Sequence, residues 1–103
     1  MPEVTPREVM ARRARGEKIL LLDVREHNEW NLFRIPGALH MPLAAVPGRA
    51  GELDPSAEIV VYCSRGTRSA SAAALLRERD FSHVSSLAGG VMAWVSAGGD
   101  VDE

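Results

Sequence analysis

The clearest pattern along the chain is a series of short apolar runs separated by amphipathic stretches. Residues 18–24 (KILLLDV) and 58–62 (EIVVY) are almost continuously apolar, which is typical of strands buried on both faces. Residues 84–87 predict a third strand, and residues 39–41 predict a short one. These runs together predict a sheet with neither face open to solvent.

A capped helix is predicted ahead of the first apolar run. Thr5 suits the N-cap, Pro6 suits the first helical position, and Glu8 completes a capping box. We expect this helix to run to about Arg15 and to end at Gly16, because glycine accepts the left-handed conformation that ends many helices.

Further helices lie between and after the strands. Residues 26–32, 69–79 and 91–97 are predicted to be helical, whereas residues 43–50 are weakly helical, with a break at Pro47-Gly48. Strands that alternate with helices imply right-handed crossovers. The predicted fold is therefore α/β, with a mostly parallel sheet and helices on both faces.

The composition is that of an ordinary globular domain. The 103 residues fit a single domain, 1–103, and 46% of them are hydrophobic. Charged residues make up 25% and the formal net charge is −2, so nothing electrostatic favours nucleic acid or a membrane as a partner. The oligomeric state stays open, with a monomer expected.

The cysteine content and the first residues bear on the compartment. Cys63 is the only cysteine, so no internal disulfide can form, and a lone thiol fits a reducing environment. The first 16 residues contain no apolar stretch typical of a signal sequence. We therefore expect a cytoplasmic protein.

The loop that contains Cys63 is the main candidate for chemistry. Cys63 follows the strand 58–62 and precedes the helix 69–79, at the sheet edge where parallel α/β folds bind ligands. A tight strand-to-helix turn directs backbone N–H groups inward, and the helix N-terminus adds partial positive charge. With the cations Arg65 and Arg68, these features favour a thiolate nucleophile. Alternatively, Cys63 is a small buried apolar residue, and each arginine pairs with a surface carboxylate.

Several short motifs occur in order along the chain. They are Leu22-Asp23-Val24-Arg25 with Glu29-Trp30, Ile35-Pro36-Gly37-Ala38, Ile59-Val60-Val61-Tyr62-Cys63, Gly66, Arg68-Ser69, Leu87, Gly89-Gly90 and Trp94. Through these motifs the chain resembles a single rhodanese-like domain over about residues 5–98. Each motif is weak alone, but their combination is specific.

The resemblance implies a mostly parallel five-stranded sheet and a sulfurtransferase that carries sulfur as a persulfide on Cys63. It implies that backbone N–H groups of one segment cradle the outer sulfur, namely those of Ser64, Arg65, Gly66, Thr67 and Arg68. Cationic loops of this kind are associated with thiosulfate-type donors. The implied partners are a small anionic sulfur donor and a thiol or protein acceptor, without a metal or organic cofactor.

Two other functions stay open on the same scaffold. One is a non-enzymatic protein-to-protein sulfur relay or interaction module. The other is a phosphatase or arsenate reductase, which requires an arginine six places after the cysteine, whereas Arg68 is five places after Cys63.

Several residues outside the loop are candidates for structural support. Asp23, Arg25 and Glu29 form a polar cluster, in which the favoured interpretation is an i,i+4 ion pair between Arg25 and Glu29. Ser69 follows the loop, and Gly89 and Gly90 are expected to permit close packing beside it.

Two positions depart from the family pattern. Phe33-Arg34 stands where the family often has Gly-His; Arg34 either adds charge near the pocket or is simply solvated, which is favoured. Asp80 replaces a common glycine at the end of a helix, where aspartate tolerates the left-handed conformation.

Overall fold

The centre of the molecule is a parallel β-sheet. The structure is a computed structural model that describes residues 2–103. The sheet has five strands in the order β1-β5-β4-β2-β3, and every neighbouring pair is parallel. The strands are β1 (Glu3–Val4), β2 (Leu20–Asp23), β3 (Leu39–His40), β4 (Ile59–Tyr62) and β5 (Val84–Leu87). The predicted α/β fold with a mostly parallel five-stranded sheet is confirmed, and the sheet is parallel throughout.

Five α-helices accompany the sheet and lie on both of its faces. They are α1 (Pro6–Ala14), α2 (His27–Leu32), α3 (Val46–Arg49), α4 (Thr67–Glu78) and α5 (Gly90–Ser96). One apolar cluster joins the sheet to α3 and α4 and includes Cys63, while the other joins the opposite face to α1 and α5. Strand side chains alternate between the two clusters, as parallel strands covered on both sides require.

The first helix begins as its sequence predicts. The Thr5 hydroxyl accepts a hydrogen bond from the Glu8 backbone N–H at 3.1 Å, and the Thr5 backbone N–H donates to the Glu8 carboxylate at 3.2 Å. Pro6 lies in the first turn, where its missing N–H costs no intrahelical bond. The capping box is therefore formed, and the chain turns at Gly16 with φ +84°.

Two short elements differ from what the sequence predicts. Strand β1 was not predicted, because two residues are too few to show a period, yet it pairs in parallel with β5. Pro47-Gly48 does not break a helix: both residues lie inside α3, since Pro47 occupies its first turn. Single 3₁₀ turns at Leu43–Ala45 and Ala50–Glu52 flank α3.

Helix α4 begins two residues earlier than predicted, at Thr67 rather than Ser69. Gly66 precedes it in the left-handed region with φ +111°, so the first turn of α4 curls back towards β4. At its other end, Asp80 has φ +69°, which confirms the expected left-handed conformation. Within residues 2–103, no helix has both the length and the apolar character needed to cross a membrane.

Candidate active site

Cys63 lies directly after β4, beneath the turn that leads into α4. Its sulfur accepts a hydrogen bond from the Gly66 backbone N–H at 3.0 Å and lies 3.5 Å from the Ser69 hydroxyl oxygen. The residue is only 1% exposed. The turn therefore wraps around the sulfur with donors directed at it, and an apolar cluster closes the other side.

The environment of Cys63 favours the thiolate. Burial, the largest single effect, raises the pKa of the Cys63 thiol. The Ser69 hydroxyl and the backbone N–H groups of Ser69, Gly66 and Arg65 act in the opposite direction and outweigh burial, so the pKa lies below its ordinary value. Cys63 is thus as buried as an apolar core residue, yet its pocket is built for an anion.

Helix α5 holds the Cys63 loop from behind. The Val91 backbone N–H donates to the Cys63 carbonyl oxygen at 2.8 Å, and that of Met92 donates to the Ser64 carbonyl oxygen at 3.1 Å. A Cβ atom at Gly90, whose φ is +64°, would lie 2.5 Å from the Cys63 carbonyl oxygen. Because Gly90 has no side chain, α5 can pack against the loop and bind both carbonyl groups.

The Cys63 loop is also tied to α2 through Glu29. The guanidinium group of Arg68 donates to both Glu29 carboxylate oxygens, at 2.7 and 2.9 Å. The Ser64 hydroxyl donates to the same carboxylate at 2.9 Å. These bonds join the two ends of the turn to a helix that lies 35 to 39 residues away in the chain.

The predicted ion pair between Arg25 and Glu29 is wrong. Arg25 instead pairs with Asp23, with its Nη2 2.8 Å from Asp23 Oδ2, and both side chains are buried. The Arg25 Nη2 also donates to the Phe33 carbonyl oxygen at 2.6 Å. Since Arg25 folds back onto the end of its own strand, Glu29 is free to face the Cys63 loop.

The two loop arginines differ in their pairing. The Arg68 hydrogen bonds lower the pKa of Glu29 to about 2. In return, Glu29 and, to a lesser extent, the Cys63 sulfur raise the pKa of Arg68 above its ordinary value. Arg65 is exposed, as is Thr67, and Arg65 forms no ion pair within residues 2–103. Thus, of the two loop arginines, Arg65 is the one whose positive charge is not compensated by an ion pair among the described residues.

A second hydroxyl group lies behind Ser69. The Ser69 Oγ is 3.1 Å from the Gly66 carbonyl oxygen and 2.8 Å from the Oγ of Ser86 on β5. Both serines are fully buried. The Cys63 sulfur therefore stands at the end of a short row of hydroxyl groups that reaches into the sheet.

Comparison with known proteins decides the family. The family model described as Rhodanese-like domain matches residues 5–97 of the chain. The chain belongs to the rhodanese-like domain family.

Two relatives of this rhodanese-like chain have names that refer to sulfur transfer or sulfur carriage. It is 34% identical to a protein named Sulfurtransferase from Allochromatium vinosum, over 93% of this chain and 90% of that one. It is also 34% identical to the Putative sulfur carrier protein YrkF of Bacillus subtilis, over 91% of this chain but only 51% of the relative. These similarities support sulfur transfer as the general class of activity.

A solved structure has the same fold at similar identity. The rhodanese-like domain of the Anabaena protein Alr3790, solved by NMR, superposes with a TM-score of 0.90 and 34% identity. The match covers 99% of this chain and 79% of that chain. The agreement extends over almost the whole rhodanese-like chain, including the strand-to-helix turn at Cys63.

The half-buried Arg34 side chain is not simply solvated, contrary to the favoured interpretation, and His40 also has a structural partner. Arg34 lies over the Trp30 ring at 5.0 Å and donates to the Trp30 carbonyl oxygen at 2.9 Å. His40 Nε2 lies 2.7 Å from the Arg25 carbonyl oxygen. Among residues 2–103 there is no group of three or more His, Cys, Asp or Glu side chains that could hold a metal ion.

Sequence reasoning missed Ser86 and the true partner of Glu29. Strand alternation places Ser86 on the same sheet face as Val84, towards α4. The alternation along β5 can be read from the sequence, but the position of α4 relative to β5 cannot. The link from Glu29 to Arg68 likewise depends on the position of α2 over the loop.

Proposed function

We propose that this rhodanese-like chain works as one domain, a sulfurtransferase that carries sulfane sulfur as a persulfide on Cys63. Thiosulfate is the donor that the loop suits best. The observation that carries the proposal is the Gly66 backbone N–H directed at the Cys63 sulfur at 3.0 Å, within a pocket that lowers the pKa of the thiol. Such a pocket suits a negatively charged sulfur.

In the first step the Cys63 thiolate attacks the outer sulfur of thiosulfate. A new S–S bond forms on Cys63 while the bond between the two thiosulfate sulfurs breaks, and its electron pair leaves with sulfite. The cysteine then carries –S–S⁻, and the total charge is unchanged. Because one bond replaces another, the step requires no external oxidant or reductant.

In the second step a thiophilic acceptor removes the outer sulfur. Cyanide in an assay, or a thiolate in the cell, attacks the terminal sulfur and forms thiocyanate or a new persulfide. The electron pair of the broken S–S bond returns to Cys63 and regenerates its thiolate. Since donor and acceptor act in turn on one cysteine, we expect ping-pong kinetics.

Charge at the rim supports an anionic donor. Arg68 is engaged by Glu29, so Arg65, which is exposed and forms no ion pair within residues 2–103, is the group that we assign to attracting the donor. Cys63 is 1% exposed, so the proposal requires the loop to open before a donor can reach the sulfur. Backbone N–H groups of residues 64–68 then bind the outer sulfur.

A protein-to-protein relay is the alternative, and the similarity to a protein named as a putative sulfur carrier favours it. In a relay, the donor is a persulfide on another protein and thiosulfate is not used. The loop chemistry at Cys63 is the same in both cases.

Intact mass spectrometry tests the proposal. After incubation with thiosulfate, we expect the chain to gain one sulfur atom, which cyanide then removes as thiocyanate. Cys63→Ser is the matched control, and it should gain nothing, because Cys63 is the only cysteine. A gain from a protein persulfide but not from thiosulfate would favour the relay, and no gain from either would overturn the persulfide proposal.

A further inference from the structure

Ser86 is a buried polar residue close to the Cys63 loop, and the reaction described above gives it no role. We propose that Ser86 is a positioning residue for Cys63: its hydroxyl group donates to Ser69 Oγ and thereby keeps the single Ser69 proton available to the Cys63 sulfur. The inference rests on the proposed function of Cys63 as nucleophile.

The geometry places the three side chains in a row. Ser86 Oγ lies 2.8 Å from Ser69 Oγ, which in turn lies 3.5 Å from the Cys63 sulfur. Ser69 and Ser86 are 0% exposed, and Cys63 is 1% exposed. Solvent therefore does not compete for these hydroxyl protons, and the protein alone decides which group donates.

The number of hydroxyl protons determines which serine donates the hydrogen bond and which accepts it. Within residues 2–103, Ser69 Oγ is the hydrogen-bond partner of the Ser86 hydroxyl. If Ser69 donated to Ser86, the buried Ser86 proton would have no acceptor, which is costly. If Ser86 donates to Ser69, the Ser86 proton has an acceptor and the Ser69 proton is free for another one. The Ser69 proton then has two acceptors, the Gly66 carbonyl oxygen at 3.1 Å and the Cys63 sulfur.

This arrangement responds to the charge of Cys63. When Cys63 is a thiol, its S–H donates to Ser69 Oγ and the Ser69 proton goes to the Gly66 carbonyl oxygen. When Cys63 is a thiolate, the Ser69 proton turns to the sulfur. In both states Ser86 donates to Ser69, and a hydroxyl that accepts a hydrogen bond is a stronger donor.

Other charged groups near Cys63 come from α4, α2 and the loop. Arg68 on α4 faces the sulfur and is held by Glu29 of α2, while Arg65 is exposed on the loop. Strands β4 and β5 and helix α5, in the segments 59–62, 84–87 and 90–96, contribute one titratable side chain, Tyr62. Burial, together with the Asp23 carboxylate, raises the pKa of Tyr62 above its ordinary value, so it does not titrate with Cys63.

The test is a pH titration of Cys63 by the ultraviolet absorbance of its thiolate, with Cys63→Ser as the blank. We expect Ser69→Ala to raise the midpoint by about one pH unit, and Ser86→Ala to raise it by roughly half a unit, because its effect is indirect. In the Ser69→Ala background, Ser86→Ala should add nothing. The titration needs no sulfur donor, so its outcome is independent of whether a persulfide forms.

Ser85→Ala is the matched control on the same strand. Ser85 is buried, and its hydroxyl has no hydrogen-bond partner among the described residues, so its removal should leave the midpoint unchanged. A wild-type midpoint in Ser86→Ala would overturn the inference. So would a shift of equal size with and without Ser69, because Ser86 would then act by another route.

Discussion

Two ion pairs lie near the carboxyl edge of the sheet, and they differ in burial and in reach along the chain. Asp23 and Arg25 are separated by two residues, and their side chains are 0% and 2% exposed. Glu29 and Arg68 are separated by 39 residues, and their side chains are 25% and 35% exposed. The first pair closes the end of a strand, whereas the second joins a helix to the Cys63 loop.

The two pairs also differ in what they contact. The Asp23 carboxylate accepts from the backbone N–H and the guanidinium group of Arg25, which also lies over the rings of Phe33 and Tyr62 at 5.2 and 5.7 Å. Both side chains are buried, so this pair holds the end of the strand together and has almost no contact with solvent. The pair of Glu29 and Arg68 keeps contact with solvent, and the Glu29 carboxylate also accepts a hydrogen bond from Ser64 next to Cys63.

The largest expected effect is on stability, in Arg25→Ala. Removing Arg25 leaves the buried Asp23 carboxylate uncompensated, so the free energy of unfolding should fall by about 3–5 kcal/mol. Urea unfolding followed by circular dichroism measures the change. Arg49→Ala is the control, because Arg49 forms an exposed pair with Glu52; it should have little effect. A similar small effect in both variants would erase the distinction between buried and exposed pairs.

Glu29→Gln should reduce stability less than Arg25→Ala does, and it should slow the sulfur loading of Cys63. Both side chains of its ion pair are partly exposed, so the free energy of unfolding should fall by only about 1 kcal/mol. The rate of sulfur loading onto Cys63 should fall about tenfold or more, because Ser64 and Arg68 lose the group that orients them. Single-turnover mass spectrometry with thiosulfate measures the rate.

The matched control for this variant is Glu52→Gln, which weakens an ion pair away from the loop. It should load sulfur at the wild-type rate. Equal rates in Glu29→Gln and the wild type would mean that the pair of Glu29 and Arg68 does not orient the loop.

The smallest effect is a pH dependence confined to acid. The pKa of Glu29 is lowered to about 2 from an ordinary value of 4.5. A lowered folded-state pKa contributes stability above the unfolded-state value, which is lost as the pH falls towards the folded-state value. The stability difference between the wild type and Glu29→Gln should therefore be constant above about pH 5 and shrink between pH 4.5 and 2. Urea unfolding across this range measures it, and a difference that persists unchanged to pH 2 would contradict the assignment.

Much of the fold was predictable because local patterns specify it. The capping box at Thr5 and Glu8, the buried strands β2, β4 and β5, and the left-handed residue Asp80 all follow from short-range chemistry. The exceptions were the two-residue strand β1 and the helix that contains Pro47. Strand β1 depends on pairing with β5, which is distant in the chain, whereas the helix at Pro47 follows a local rule, since proline is tolerated in the first turn of a helix.

The sequence by itself determined that Cys63 stands between a buried strand and a helix, since strand and helix periods are local properties. The tertiary structure alone decided that Glu29 binds Arg68 and that Ser86 lies against Ser69. The partners in these contacts are 39 and 17 residues apart in the chain. The strand order and the packing of the helices bring these residues together. The physical reason is that hydrogen bonds and ion pairs require ångström-scale positions, which a one-dimensional pattern of apolar and polar residues does not contain.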